Sequence, residues 1–325
     1  MIMDMSEMAK IVDLQKIKDV LRSIDPIQEI EDGFITFSRG NVVVPPVGEM
    51  IFEDPPGDVH IKYGFIKEDD YYVIKIASGF YNNPKMGLPS YDGLMLLFNQ
   101  KTGELISVML DEGHLTNVRT AAAGAVVAKY LAPKKVNRIG IFGAGVQGRM
   151  QLEYLKGIID CTDVIVWGID KQELDDYKKE MEKQDFKVET TLQSEDITSS
   201  CNFIVTCTPS TKPLIKVDQI EKGVHITAMG SDTPEKQELD SAILRKADRV
   251  VVDSIEQVLS RGESYHALKS GMIKKEDLIE LGTIIPNKTL HRQSDSEITI
   301  ADLTGVAVQD IQITKAVWKG IAPTE

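Results

Sequence analysis

A chain of 325 residues, 42% of them apolar, is long enough for one large or two ordinary domains and can bury a proper core. Its 50 acidic residues against 37 basic ones leave a formal charge of −13, and no segment concentrates Lys and Arg among aromatics, so a nucleic-acid partner is not expected. No window carries the roughly 18 uninterrupted apolar residues of a membrane span, and the opening MIMDMSEMAKIVDLQK lacks the apolar stretch of a signal peptide, so a cytoplasmic globular protein without a membrane partner is expected.

In chain order, DLQKIKDVLRSI sets Leu14, Ile17, Val20, Leu21 and Ile24 at helical spacing. Strand-like pieces follow at 59–66, 71–77, 94–98 and 104–110, separated by EDPPGD, NNPKMG and QKTG, which predicts a mostly antiparallel sheet. LTNVRTAAAGAVVAKYLA (115–132) reads as a helix with Thr116 as N-cap. From residue 137 the rhythm changes. Apolar strands at 139–142, 163–167, 202–206, 225–229 and 249–253 alternate with helical stretches such as QELDDYKKEMEKQ and ELDSAILRKA. That alternation predicts an α/β fold, a Rossmann-type doubly wound parallel sheet with helices on both faces. VAVQDIQITKAVWKGIA reads helical again and returns to the first domain, so the expected division is 1–128 with 306–325, and 129–305 inserted between them.

The inserted part opens on IGIFGAGVQGRMQ, where Gly143, Gly145 and Gly148 match G-x-G-x-x-G between a strand and a helix, with Val146 and Gln147 inside the turn. The first Gly permits the tight turn, the second lets backbone amides approach a pyrophosphate, and the third lets helix and strand pack closely. The next strand ends in DVIVWGIDKQ, with Gly168 at the usual acidic position, Asp170 two residues on and no Arg in the loop. NAD is therefore the expected cofactor, with NADP open; Asp170 can grip a ribose, cap the following helix, or do both. VTCTPS places Thr206, Thr208 and Pro209 after a strand, as in a loop lining a nucleotide.

Lys75 alternates onto the same face as Val73 and Ala77, and Arg119 lies in the first turns of an apolar helix where the macrodipole disfavours a cation. Together they could clamp a substrate carboxylate; each alone also reads as a salt-bridge residue. HITAMGSDTPEKQELD sets Gly230, Ser231 and Asp232 just past a strand end, where Asp232 could shuttle protons or form an Asx turn before a helix at 238. Cys161, Cys201 and Cys207 have no C-x-x-C spacing and read as buried reduced thiols. The five histidines are scattered, so no metal is expected.

VIKIASGFYNNPKMGLPS, LTNVRTAAAGAVVAKYLA, IGIFGAGVQGRMQ, HITAMGSDTPEKQELD and DLTGVAVQD, in this order, resemble the ornithine cyclodeaminase and mu-crystallin family over about residues 30–320. The resemblance implies an NAD(P)-dependent homodimer with a discontinuous α+β substrate and dimerisation domain and an inserted nucleotide domain. It implies action at the C–N bond on the α-carbon of an amino or imino acid. Carried over by position, Lys75 and Arg119 hold the substrate carboxylate, Lys75 also helping to polarise the imine, and Asp232 moves protons. Thr120 faces the cofactor, Asp310 closes the nicotinamide side, and Gly143, Gly145, Gly148 and Asp170 fall on dinucleotide positions. Two departures matter. Val47 stands where many relatives carry an Arg, and Val43 or Val44 stands where ornithine-specific members carry a Glu, although Glu49 is near. The implied activity is that of an imino-acid reductase or amino-acid dehydrogenase, on the branch with iminosuccinate reductases; Arg39, His60 and Lys62 are candidates for a second cationic grip on a dicarboxylic substrate. The alternatives are an ornithine cyclodeaminase and a catalytically silent NAD(P)H- and small-ligand-binding protein. Retention of Lys75, Arg119 and Asp232 together favours the enzyme.

Overall fold

The structure is a computed structural model that describes residues 9–80 and 82–321. Residues 1–8 and 322–325, which the expected first domain includes and on which part of the signal-peptide reading rests, lie outside the described residues. The chain divides into two compact units, one running to Arg119 and resuming at Val306, the other comprising Thr120–Gly305.

Seven strands make one sheet in the first unit: β1 (Lys10–Asp13), β2 (Val42–Val43), β3 (Gly48–Glu53), β4 (Pro56–Ile66), β5 (Tyr71–Phe80), β6 (Tyr91–Asn99) and β7 (Leu105–Leu110). They run in the order β1-β7-β6-β5-β4-β2, with β3 also on β4; every pairing is antiparallel except β1 with β7. Register sets Lys62 opposite Lys75, Lys75 opposite Met95, and Met95 opposite Met109, so these side chains share one face. That face is buried, with Val73, Met95, Leu97 and Met109 fully covered. The helix Ala307–Ile321 packs against β4, β5 and β6 and against the helix Pro26–Ser38. On the other face Tyr63, Ile74, Leu96, Val108 and Ile11 form one cross-strand row that stays half-buried or exposed. The helix over 26–38 was not anticipated, although its signals are ordinary: Pro26 opens it and the Asp25 carboxylate accepts from the Ile27 and Gln28 amides.

The second unit holds eight parallel strands: β8 (Ile139–Phe142), β9 (Asp163–Trp167), β10 (Lys187–Thr191), β11 (Phe203–Thr206), β12 (His225–Ala228), β13 (Arg249–Val252), β14 (Leu278–Glu280) and β15 (Thr299–Asp302). Their order is β10-β9-β8-β11-β12-β15-β13-β14. This is the Rossmann-type doubly wound sheet. Its order reverses between β8 and β11, and ligands of such sheets lie outside the strand C-termini at that point. Phe142, Ile204, Ile226 and Ile300 are buried in its core, each contributing about 1.5–3 kcal/mol by leaving water.

Two local expectations are corrected. Thr116 does not cap its helix, which begins at His114; the buried Asp111 carboxylate accepts instead from the Leu115 amide at 2.8 Å. The helix expected at 238 starts at Ser241 behind the N-cap Asp240, which leaves Glu238 in a loop and fully buried. Of the three free cysteines Cys201 alone is buried, Cys161 and Cys207 being partly covered. Among the described residues no helix is long and apolar enough to cross a membrane.

Candidate active site

In the first unit three charged side chains converge. Lys75 comes from the centre of β5, Arg119 from the second turn of the helix His114–Leu131, and Asp310 from the first turn of Ala307–Ile321. Asp310 Oδ1 accepts from Arg119 Nε at 3.0 Å, and its Oδ2 lies 3.3 Å from Lys75 Nζ. Arg119 Nη1 also donates to Gln309 Oε1 at 3.3 Å. All three are buried, at 2% exposure for Lys75, 6% for Arg119 and 1% for Asp310, so they are screened little by solvent. Burial pushes the Lys75 ammonium down to about 8, helped by Arg119 and opposed by Asp310 and Asp111. Burial alone would raise Asp310, but Lys75, Arg119 and Lys62 hold its carboxyl below the ordinary range. Asp111 belongs to the same charge group: burial raises it to about 6, and its Oδ1 is buried without a hydrogen-bond partner. The sequence signal for Asp111 was present, an acid just before a helix, but only the fold shows that it faces these charges.

The other candidates of this unit separate. Lys62 is buried on the Lys75 face and acts on Asp310. His60 lies between Glu49 (3.5 Å) and Asp58 (3.3 Å). Arg39 is exposed and closes the helix Pro26–Ser38 through its backbone. Asp310, expected on the cofactor side, is the counter-ion of Lys75 and Arg119.

In the second unit the glycine turn has the build of an anion cradle. Gly143 adopts φ +113°, a conformation that side chains resist, and its amide donates to Trp167 O at 2.9 Å. A Cβ on Gly148 would stand 2.0 Å from Gly143 O, so only glycine lets the helix Val146–Leu155 approach the turn so closely. Gly145 is the N-cap of that helix and has no side chain to cap it, Val146 is 56% exposed, and a Cβ on Gly145 would meet nothing within 4 Å. The helix N-terminus is thus uncapped and accessible, which suits a pyrophosphate. Gln147 accepts from Gln151 Nε2, which also donates to Thr120 O. Asp170 caps the next helix, accepting from the Glu173 amide at 2.9 Å.

Thr206 ends β11 and Thr208 follows it, both buried, Pro209 beside them is exposed, and Gly230, Ser231 and Asp232 follow β12. Asp232 Oδ1 is 2.7 Å from Lys236 Nζ. Glu238, absent from the sequence reading, joins the two loops by accepting from Thr206, Thr208 and Gly230.

Residues 7–324 match the model of the ornithine cyclodeaminase/mu-crystallin family. An archaeal alanine dehydrogenase, solved as a dimer with bound NAD, is 33% identical at a TM-score of 0.86, with 96% of this chain and 95% of that one covered. The iminosuccinate reductase of Paracoccus denitrificans in complex with NAD+ is 30% identical at a TM-score of 0.84, with 96% of each chain covered. The Δ1-pyrroline-2-carboxylate reductase of Thermococcus litoralis, in complex with NADH and L-proline, is 28% identical at a TM-score of 0.89, with 95% and 96% covered. With a family match that spans nearly its whole length, this chain belongs to the ornithine cyclodeaminase/mu-crystallin family.

Proposed function

We propose that this protein is an NAD(H)-dependent oxidoreductase that transfers a hydride at the α C–N bond of a small imino acid, giving an L-amino acid or running in reverse. The observation that carries this reading is the buried meeting of Lys75 and Arg119 at Asp310; with Lys62 and Asp111 in the same charge group, three cations face two carboxylates, which is the charge balance of a site built for an anion. The planar guanidinium of Arg119 orients a substrate carboxylate, and the Lys75 ammonium neutralises it and polarises the adjoining imine. Asp232, hydrogen-bonded to Lys236, handles the proton that the imine nitrogen gains. The nicotinamide dinucleotide supplies the hydride when bound. Gly143, Gly145, Val146, Gln147 and Gly148 would hold its pyrophosphate. Asp170 would hold its ribose, and Thr120, Thr206, Thr208, Pro209, Gly230 and Ser231 would line it. The first unit is the substrate and dimerisation domain in this reading and the second the dinucleotide domain. The apolar row Tyr63, Ile74, Leu96, Val108 and Ile11, exposed at Tyr63 and Ile11 and half-buried between them, suits a second copy of the chain.

The test is NADH consumption by purified protein with oxaloacetate plus ammonium, pyruvate plus ammonium, and pyrroline-2-carboxylate, with ornithine run alongside. Stoichiometric NADH loss with an imino acid is expected. Proline formation from ornithine without net NADH loss would overturn the reductase in favour of a cyclodeaminase.

Lys75 also sets a pH dependence. A lysine held at about 8 by burial loses its charge above that pH and with it half of the carboxylate grip. In the free enzyme kcat/KM is expected to fall about tenfold per pH unit beyond that point, and in Lys75→Arg, which stays charged, this limb should disappear. A wild-type profile flat to about pH 10 would remove Lys75 from substrate binding.

A further inference from the structure

Glu238 has no place in the chemistry above, yet few side chains of the second unit are tied down more completely. It is fully buried between β12 and the helix Ser241–Lys246. Its Oε2 accepts from Thr206 Oγ1 at 2.7 Å and from the Gly230 amide at 2.9 Å; its Oε1 accepts from the Thr208 amide and the Thr208 hydroxyl, each at 2.7 Å. These four donors are neutral and lie at the C-terminal end of β11 and on the loops that leave β11 and β12. A carboxylate accepts at both oxygens and donates at neither, so it alone among side chains of this size satisfies four converging donors. Burial pushes the Glu238 carboxyl up, and the hydrogen bonds from Thr208, Thr206 and Gly230 oppose that shift.

The clamp is itself held. Glu263 Oε1 accepts from the Glu238 amide at 2.7 Å and its Oε2 from the Leu239 amide at 3.0 Å. At the next residue, Ser264, the amide donates to Asp302 at the end of β15, 2.7 Å away. Three buried carboxylates therefore brace the C-terminal edge of the sheet, and Glu238 is the one that touches both loops expected to line the dinucleotide.

We infer that Glu238 is a positioning residue for the dinucleotide: it sets the separation of the Thr206–Thr208 loop and Gly230, so that these loops are already in their binding arrangement before the ligand arrives. The inference rests on the reading of the second unit as the dinucleotide domain. In Glu238→Gln an amide N–H would oppose donors that now meet an oxygen, and the loops would part without loss of any group that touches the ligand.

The experiment is a fluorescence titration of the full-length protein with NADH, with steady-state kinetics and the melting temperature of the ligand-free protein measured on the same samples. Glu238→Gln is expected to raise both the Kd and the KM for NADH by about tenfold or more, while kcat at saturating NADH stays within about twofold and the KM for the imino acid does not move. Glu263→Gln, which loosens the backbone that carries Glu238, is expected to shift NADH affinity in the same direction by about threefold, and serves if Glu238→Gln does not fold. NADH affinity at the wild-type value in both variants overturns the inference, as does a fall in kcat and melting temperature with Kd unchanged. Wild-type protein that binds no NADH overturns the dinucleotide reading itself.

Discussion

Replacing Asp310 with asparagine is expected to lower stability by about 3–5 kcal/mol, because it strands two buried cations rather than merely deleting one hydrogen bond. Lys75 and Arg119 both lie under 10% exposed, and Asp310 is the carboxylate that both of them touch. Lys75 can escape by losing its proton; Arg119 cannot, so the remaining penalty falls on the guanidinium. The sign with pH follows. A lysine whose folded pKa lies below its unfolded value destabilises the fold while it is protonated, and that burden lifts as pH rises through the folded pKa, which is about 8 with Asp310 in place and lower without it. The deficit of Asp310→Asn is therefore expected to be deepest where wild-type Asp310 is ionised and Lys75 still protonated in the variant, to shrink toward alkaline pH, and to shrink again in strong acid as Asp310 itself is protonated. Thermal melts should show a fall of the order of 10 °C near neutrality, with partial recovery in Asp310→Asn combined with Lys75→Met. A single variant that melts with the wild type would mean that Asp310 is not the counter-ion.

The glycine turn offers the second large effect, and a control within the same six residues. Gly148→Ala places a methyl 2.0 Å from Gly143 O and 3.3 Å from Ile141 Cγ2, both parts of the turn and strand beneath it. The helix must then lift off the turn, and NADH affinity should fall by about a hundredfold or more together with the melting temperature. Gly145→Ala meets nothing within 4 Å, and the backbone there is extended (φ −75°, ψ −168°), so the ligand-free protein should melt as before. Its methyl points into space that a pyrophosphate would need. A clear loss of NADH binding at unchanged melting temperature is the expected result, and unchanged binding would place the phosphates elsewhere.

What could be read from the residues and what could not divides along physical lines. The parallel sheet was legible where strands are short apolar runs, as in IGIF and FIVT, because burial on both faces leaves that pattern. β10, with the sequence KVETT, lies at the edge of the sheet and does not carry it. β15, TIAD, inserts between β12 and β13 out of chain order, which no local pattern announces. Lys75 and Arg119 stood out as cations in apolar settings, but their common partner Asp310 is distant in the chain, and the resemblance named it for the nicotinamide side and not as their counter-ion. Glu238 was hidden by its own neighbours: QELDSAILRK reads as a helix with a solvated first turn, and burial of an acid by four neutral donors has no signature in sequence.

The discontinuity of the first unit also constrains how the molecule is made. Arg119 emerges during synthesis 191 residues before the aspartate that neutralises it, and Lys75 earlier still. Until Ala307–Ile321 is complete the seven-stranded sheet lacks both the helix that covers β4 to β6 and the charge that balances its interior. The whole of Thr120–Gly305 is translated in that interval, so the first unit can close only after the second has been made. A chain released early would present an apolar sheet face and unneutralised lysine and arginine together, the features of an unfinished protein that quality control removes.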